Sequence, residues 1–417
     1  MKILWFTNTP ANAVNYLKDE IVVGGWMSSL DSALQQKDNT ELHIAFYYGK
    51  NINSFKYGNT HYYPIKSSFQ NKSKIQKYLH QLFSSKVIYE EDIKKYLRII
   101  DEVKPDIIHI HGTENPFGLI AKYTNIPIVI SLQGIITVYE HKYFSGISAK
   151  YLNKGISLKE KLLGKSYKHK YKNFQKFALR EQEILNNADN IIGRTTWDKM
   201  VSKILAPNAK YFHNDELLRP EFYKKIWKLN KGNTTIQLFS IISPAYYKGL
   251  ENIFQTANLL KNDINFEWSI AGLNENSLIT RIVKQYTKLH PAKINVKFLG
   301  KQNARYIVNE MLRSDLYIHP SHIENSPNSV CEAMLLGIPI IANQAGGIPS
   351  LLENYNEGVL IQDGDPWYLA GTIKELWENY DKAVNFGKNA RKRAIKRHNS
   401  EKIVNDLLNI YNQLVED

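Results

Sequence analysis

The stretch that most constrains the fold runs from Asp315 to Ser350, because its pattern predicts a strand, a helix and a second strand. A short apolar segment, Leu316–His319, leads through a turn with two prolines into a predicted helix from about Ser329 to Leu336. Gly337 ends that helix, and a second buried strand is predicted at Ile338–Ala342. Such a unit builds a parallel sheet, whose ligands gather at the carboxyl ends of the strands. The sequence therefore predicts a doubly wound α/β fold with a ligand site in this stretch.

Several polar residues in this stretch have positions suited to a nucleotide. Asn328 and Ser329 occupy a predicted helix cap, where backbone amides and the helix dipole favour a diphosphate. Glu332 follows one turn later and can accept hydrogen bonds from ribose hydroxyls, while Glu324 precedes the helix in the loop that would face the ligand. Any one of these features alone is more simply an ordinary cap, a surface glutamate or a plain loop. Only their combination indicates a nucleotide site.

The stretch resembles the donor-binding segment of the GT4 family of retaining glycosyltransferases, which have the GT-B fold. It matches the family's two glutamates with seven residues between them and the glycine, proline and glycine-pair positions that follow, at Glu324, Pro327, Asn328, Glu332, Ala333, Met334, Gly337, Pro339, Gly346 and Gly347. The resemblance implies two Rossmann-like domains with parallel sheets facing across a cleft that holds a nucleoside-diphosphate sugar. Asn325 and Ser326 depart from the family's usual pair, which concerns only the local shape of the sugar pocket.

The resemblance continues outside this stretch and adds residues for the donor. Lys248 stands just before a predicted helix that begins near Gly249, where it can reach a diphosphate; the alternative is a solvated lysine. Ser243 replaces the arginine that family members usually carry, so either the diphosphate has one cation fewer or a basic residue elsewhere supplies the charge. Family members hold the base with backbone groups at strand ends that correspond here to Gly272, Leu299 and Gly300.

The amino-terminal half carries weaker signals. Gly24 and Gly25 follow the first predicted strand and open a helix, where family members have a similar loop against the donor phosphates and the acceptor. The absence of G-x-G-x-x-G after this strand argues against a nicotinamide or flavin enzyme. His111 ends the predicted strand Ile107–His111 and is either a buried, hydrogen-bonded histidine or a substrate contact. Gln133 stands where many family members carry a histidine, so it can form hydrogen bonds but not transfer protons.

Two domains are expected, because 417 residues are too many for one hydrophobic core. By resemblance, residues 1–217 form an acceptor-binding domain and residues 218–398 a donor-binding domain, while residues 399–417 form a helix that packs back toward the first. Arg194 ends another predicted strand, and Glu216 lies where such chains cross between domains. Both are expected to contact the acceptor or the sugar.

The formal net charge of +14 is compatible with three kinds of partner, namely nucleic acid, anionic lipid or a phosphate-bearing substrate. The alternative is that the charge reflects the amino-acid composition alone. No nucleic-acid-binding motif is present, so we expect no nucleic acid. Lysines and aromatic residues are concentrated between Tyr139 and Phe177, where Glu140 and Glu160 are the acidic residues. This basic segment predicts contact with an anionic membrane surface or a lipid diphosphate, with a solvated lysine-rich helix as the equal alternative.

The remaining composition indicates a cytoplasmic protein, with a peripheral position on the membrane face as a further expectation. The single cysteine, Cys331, fits a reducing compartment, and no signal peptide or apolar run of about 20 residues is present. We expect no cofactor and no metal, because no D-x-D motif occurs in a suitable position and family members need none. Lys248, helix amino termini and glycine loops would meet the phosphate charge instead.

Together these features predict a retaining glycosyltransferase that moves a sugar from a UDP-linked, rather than GDP-linked, donor to a glycan or lipid-linked saccharide in cell-surface polysaccharide synthesis. Glu324 and Lys248 are the predicted catalytic residues, and Glu332 is expected to hold the ribose. Retention follows from the family alone and leaves two routes open, a covalent sugar on a carboxylate or attack from the face that the diphosphate leaves. The alternatives are a sugar-nucleotide epimerase on the same fold and a non-catalytic binding protein with a basic face.

Overall fold

A computed structural model describes residues 1–17, 25–68, 89–152, 156–157, 166–229 and 234–416. The chain divides into two compact units, and each contains one sheet. Unit 1 comprises Met1–Glu140, Lys172–Leu218 and His398–Asp417, and unit 2 comprises His141–Tyr171 and Arg219–Arg397. Each unit is an α/β structure, as the sequence predicts.

The strands of unit 1 are β1 (Lys2–Thr7), β2 (Glu41–Tyr47), β3 (Phe55–Tyr57), β4 (Thr60–Ile65), β5 (Ile107–His111), β6 (Ile128–Ser131), β7 (Asn190–Gly193) and β8 (Lys210–His213). They form an 8-stranded sheet in the order β3-β4-β2-β1-β5-β6-β7-β8. All neighbouring pairs are parallel except β3 and β4. Thr7 of β1 is level with His111 of β5, and His111 with Ser131 of β6, so the carboxyl ends of these strands lie at one edge.

The strands of unit 2 are β9 (Ile236–Ile241), β10 (Phe266–Ala271), β11 (Val296–Gly300), β12 (Leu316–His319), β13 (Ile340–Asn343) and β14 (Val359–Ile361). They form a 6-stranded parallel sheet in the order β11-β10-β9-β12-β13-β14. The chain winds outward in opposite directions from β9 and from β12. The point between these two strands is therefore the topological switch point, where open α/β sheets bind ligands.

The helices in chain order are α1 (Ala13–Leu17), α2 (Gly25–Leu34), α3 (Glu90–Val103), α4 (Ile136–His141), α5 (Tyr167–Asn186), α6 (Thr196–Leu205), α7 (Pro220–Tyr223), α8 (Leu250–Leu260), α9 (Leu278–Thr287), α10 (Ala304–Arg313), α11 (Asn328–Leu336), α12 (Pro366–Glu378), α13 (Tyr380–Arg397) and α14 (Ser400–Glu416). Short 3-10 helices lie at Pro116–Lys122, Ala149–Tyr151, Tyr246–Lys248, Pro291–Lys293 and Ile348–Ser350. Among the described residues, no helix has the length and apolar character needed to cross a bilayer.

The sheet of unit 1 is buried on both faces, because helices cover each face and side chains alternate between the two faces along each strand. Leu4 and Phe6 of β1 belong to one core with side chains of α3, whereas Ile3 and Trp5 belong to the other with side chains of α2 and α14. In the second core the indole of Trp5 donates a hydrogen bond to the hydroxyl of Tyr411, at 3.0 Å. The carboxyl-terminal helix α14 is therefore part of unit 1.

Two boundaries near the predicted site differ from the sequence prediction. The cap of α11 is Pro327 instead of Asn328 or Ser329, and Asn328 is already helical. The strand predicted from Ile338 begins at Ile340, because the Ile338 amide still donates to the carbonyl of Ala333 at 3.3 Å and extends the helix end.

Residues 141–171 belong to unit 2, although the sequence division places them in the first domain. Their described aromatic side chains contact unit 2, with the ring centroids of Tyr143 and Tyr246 5.5 Å apart. Gly146 has φ +79°, and a Cβ there would lie 1.9 Å from Glu251 Oε1, so the backbone at this residue approaches α8 closely. The basic segment predicted at 139–177 thus contributes to the packing of unit 2, while its residues 153–155 and 158–165 lie outside the described residues.

Candidate functional site

The loops after β9 and β12 meet at the switch point of unit 2. Lys248 ends the 3-10 helix that leads from β9 into α8, and Gly249 follows with φ +74°. A Cβ on Gly249 would lie 2.0 Å from the carbonyl oxygen of Pro320, so the two loops could not approach as closely with any other residue there. This approach places Lys248 beside the loop that carries Glu324.

The carboxylate of Glu324 is held from several sides. Lys248 Nζ donates a short hydrogen bond to Glu324 Oε1, and His319 Nε2 lies 3.6 Å from the same oxygen. The backbone of Glu324 is held as well, because the amide of Gly347 donates to its carbonyl oxygen at 2.8 Å. Gly346 has no room for a side chain, because a Cβ there would lie 2.0 Å from the same carbonyl oxygen. The structure therefore brings together Glu324 and Lys248, the two residues predicted to be catalytic.

The charge state of Glu324 follows from these contacts. Its side chain is buried, which by itself raises the pKa, but the positive charge of Lys248, together with the nearby ring of His319, outweighs burial and lowers the pKa to about 2. Glu324 is consequently ionised at neutral pH. It can stabilise positive charge or accept hydrogen bonds, but it has no proton to donate.

Glu332 points from α11 toward Arg219, the residue that caps α7. Arg219 Nε donates to Oε1 at 2.6 Å and Nη2 donates to Oε2 at 2.7 Å, which is a bidentate pair. The carboxylate is 3% exposed, whereas Arg219 is partly open to solvent. Burial tends to lower the pKa of Arg219, but the hydrogen bond and charge of Glu332 raise it overall. The pairing of Arg219 with Glu332 was not predicted, because the two residues are 113 positions apart.

The other residues predicted to bind the donor lie at strand ends or at the start of α11. Asn328 and Ser329 are the first helical residues of α11, and Ser243 is exposed two residues after β9. The amide of Gly272 donates to the carbonyl of Gly300 at 2.7 Å, which joins the ends of β10 and β11. The carbonyl of Leu299 accepts a hydrogen bond from the side chain of Gln302 at 2.5 Å.

A histidine between two carboxylates lies beside this site and was not predicted. His322 Nε2 lies 2.6 Å from Glu251 Oε1, and Nδ1 lies 2.7 Å from Asp363 Oδ1. Burial lowers the pKa of His322, but the two carboxylates outweigh it and raise the pKa to about 9. His322 is therefore a buried cation at neutral pH. Its one sequence signal is its position just after the end of β12, at the edge where ligands gather.

In unit 1, the predicted acceptor contacts occupy the carboxyl edge of the sheet. His111 is buried and stacks on His109 with ring centroids 3.7 Å apart; burial and the neighbouring His109 hold the pKa of His111 well below its ordinary value. Neither ring nitrogen of His111 has a hydrogen-bond partner in the described part of the chain. Gln133 is half-buried in the loop after β6.

Arg194 and Glu216 form a second group in unit 1. Arg194 Nε lies 3.5 Å from Glu216 Oε2, and both side chains are buried. The guanidinium of Arg194 also lies over the ring of Trp26, 4.6 Å from its centroid. Trp26 follows Gly25, the first residue of α2, so the predicted glycine loop ends close to this pair. Gly24 lies outside the described residues.

Residues 221–393 match the family model of glycosyl transferases group 1. The N-acetyl-alpha-D-glucosaminyl L-malate synthase of Bacillus anthracis is 32% identical over 122 residues, which are 29% of this chain and 32% of that protein. The N,N'-diacetylbacillosaminyl-diphospho-undecaprenol alpha-1,3-N-acetylgalactosaminyltransferase of Campylobacter jejuni is 23% identical over 313 residues, 73% of this chain and 75% of that protein. The chain thus matches about a third of the length of the first relative and three quarters of the second.

Solved structures resemble the chain over nearly its whole length. Sucrose-phosphate synthase from Thermosynechococcus elongatus has a TM-score of 0.73 at 14% identity, covering 99% of both chains. Anabaena HepE in complex with UDP-glucose has a TM-score of 0.62 at 19% identity, covering 99% of this chain and 100% of that chain. At these identities the similarity concerns the fold, and it confirms the predicted GT-B fold.

Proposed function

We propose, from the match of residues 221–393 to the group 1 glycosyltransferases, that this chain transfers a sugar from a nucleoside-diphosphate sugar to a saccharide or lipid-linked saccharide in polysaccharide synthesis. Transfer would retain the configuration at the anomeric carbon, as the GT4 resemblance implies. We propose a UDP-linked donor, because HepE, which shares the fold, forms complexes with UDP and with UDP-glucose. The Campylobacter relative, whose name gives a diphospho-undecaprenol acceptor, supports the lipid-linked class.

The observation that carries this proposal is the pairing of Lys248 with an ionised Glu324 at the switch point of unit 2. A nucleoside diphosphate leaves with added negative charge, and an ammonium group fixed beside it would stabilise that charge. Glu324 would contact the donor sugar, whose ring gains positive character as the bond to the diphosphate breaks. Because Glu324 is ionised, it would act through its charge or as a nucleophile rather than as a general acid.

Glu332 would bind the ribose while it stays paired with Arg219. An ionised carboxylate has about four acceptor sites, and the bidentate pair uses one on each oxygen. We propose that the two ribose hydroxyls donate hydrogen bonds to this carboxylate. Arg219 would thus fix the orientation of Glu332 and keep it ionised, and it would not have to move when the nucleotide binds.

We propose that the reaction needs no metal ion. In unit 2 the carboxylates of Glu324 and Glu332 are each paired with a basic side chain, so the site combines negative charges with fixed positive ones. Lys248, the amides that begin α11 and the loops at Gly272 and Gly300 would then meet the diphosphate charge. Addition of EDTA to the purified protein should leave nucleotide binding unchanged.

The acceptor is proposed to contact unit 1 at His111, Gln133, Arg194 and Glu216. A lipid-linked acceptor would bring the protein to an anionic membrane surface through the basic segment 139–177. Exposed lysines of this segment on α5, among them Lys168, Lys170 and Lys172, support that part of the proposal. Flotation with anionic vesicles at low and at high salt tests it, and a protein that fails to bind at low salt would contradict it.

The central test is a thermal-shift screen of sugar nucleotides followed by calorimetry with UDP. Binding should raise the melting temperature in proportion to the logarithm of ligand concentration over the dissociation constant. Glu332→Ala should weaken UDP binding, whereas Glu324→Ala should mainly reduce turnover of the bound donor. Glu357→Ala is the matched control, because Glu357 also pairs with an arginine, Arg393 at 2.9 Å, but precedes β14 at its amino end. Unchanged UDP affinity in Glu332→Ala would refute its assignment.

A further inference from the structure

Glu114 lies at the switch point of the unit 1 sheet, in the loop that follows β5. The chain winds outward in opposite directions from β1 and β5, so the crevice outside these two strand ends is a ligand position by the general rule for open α/β sheets. Loops from both neighbours reach the carboxylate. Asn8, directly after β1, donates from Nδ2 to Oε2 at 2.6 Å, and the amide of Gly134, after β6, lies 3.5 Å from Oε1.

The surrounding backbone is shaped to hold this carboxylate. Gly112 has φ +92°, and a Cβ there would lie 2.0 Å from Glu114 Oε2, so a side chain would displace the carboxylate. Asn115 donates from Nδ2 to Asn8 Oδ1 at 2.6 Å, which turns the NH2 group of Asn8 toward Glu114. Arg180 donates to the backbone carbonyls of Thr113 and Glu114 and so fixes the loop. The direction of the carboxylate is therefore determined by its neighbours.

One oxygen of Glu114 keeps its capacity to bind a ligand. Glu114 is half-buried, and the 3.5 Å contact of its Oε1 with the Gly134 amide is long for a hydrogen bond. Glu181 behaves differently, because it is 0% exposed and its two oxygens accept from the Thr113 hydroxyl and, at 2.6 Å, from the Thr137 amide. Burial raises the pKa of Glu114, and the negative charge of Glu181 adds to this effect.

We propose that Glu114 binds a hydroxyl group of the acceptor. Its Oε1 accepts a hydrogen bond from a hydroxyl group of an uncharged sugar, and Asn8 is the residue that positions the carboxylate. The inference rests on the proposed function, since it names the group that receives the acceptor in unit 1. A carboxylate at this point repels phosphate and carboxylate groups, so the sugar that meets it is neutral. Under this proposal, water takes the place of the sugar hydroxyl in an assay that contains donor but no acceptor.

The test uses the full chain, UDP, and whichever of UDP-glucose, UDP-N-acetylglucosamine and UDP-N-acetylgalactosamine gives the largest thermal shift. Release of UDP to water is measured for the wild type, Glu114→Gln and the matched control Glu181→Gln. Glu114→Gln replaces one carboxylate oxygen with an NH2 group and removes the negative charge. The hydroxyl then loses its hydrogen bond to a charged acceptor, which should lower the rate of UDP release about tenfold to a hundredfold. The dissociation constant of UDP should stay within about twofold of the wild type, since Glu114 contacts no nucleotide under the proposal.

The pH dependence separates this role from a structural one. Wild-type release should fall at acidic pH as Glu114 becomes protonated, and Glu114→Gln should lack this fall. Equal rates in Glu114→Gln and wild type, or an equal loss in Glu181→Gln, would overturn the inference. So would a wild type that binds UDP but releases none from the donor. Failure of the wild type to bind UDP or any sugar nucleotide would instead overturn the proposed function itself, and the inference with it.

Discussion

Replacing His322 with glutamine should remove a pH-dependent contribution to the stability of unit 2. The imidazole is buried between Glu251 and Asp363, whose oxygens lie 2.6 and 2.7 Å from its two nitrogens. Burial alone would lower the pKa of His322, but the carboxylates raise it to about 9. As the pH rises, the unfolded chain therefore loses this proton at a lower pH than the folded protein does, because an unfolded histidine titrates at about pH 6.5.

The sign and size of the effect follow from this difference. Because the folded pKa is the higher one, the stabilisation is fully present below about pH 6.5 and is lost as the pH rises through about 9. One pH unit between the two pKa values corresponds to about 1.4 kcal/mol. The total contribution of His322 is therefore about 3 kcal/mol at pH 6 and close to zero at pH 10.

Urea unfolding of wild type and His322→Gln between pH 6 and pH 10 measures this contribution. The two units can unfold in separate steps, so hydrogen exchange of peptides from α8 and β12 assigns the transition of unit 2. The difference in free energy of unfolding between the proteins should shrink by about 3 kcal/mol from pH 6 to pH 10, mostly above pH 7.5. Parallel profiles over the whole range would show that His322 does not carry the buried proton, and the reasoning would be wrong.

Three further predictions concern neighbouring contacts. Arg219→Ala should lower the free energy of unfolding of unit 2 by about 3 kcal/mol in urea titrations, because it leaves Glu332 buried without this arginine. Arg219→Lys should lower the free energy of unfolding by less, because it keeps the positive charge. Gly146→Ala should destabilise unit 2 by about 1 kcal/mol or more and speed proteolysis near residue 146, since the left-handed backbone and Glu251 leave no room for a methyl group. The ratio of turnover between wild type and Glu324→Gln should stay constant from pH 5 to pH 8, because Glu324 is ionised throughout; a ratio that changes across this range would contradict its assigned charge state.

The sequence by itself determined the elements and the local part of the site. Strands such as Ile107–His111 and Leu316–His319 are short, largely apolar runs bounded by polar or turn residues, so their limits were predicted to the residue. The spacing of Glu324 and Glu332 is set by one loop and one helix, and it was enough to indicate the same family whose model matches residues 221–393. These features depend on neighbours within a few positions, and a sequence pattern records them directly.

The tertiary structure alone decided which side chains face each other. Lys248 meets Glu324 across 76 positions, and Arg219 meets Glu332 across 113, because the sheet order brings together loops that are distant in the chain. The same holds for Glu114, whose partners Asn8 and Gly134 follow neighbouring strands. The charge states of Glu324 and His322 were also beyond the sequence, because each depends on the balance between burial and partners that only the folded chain assembles.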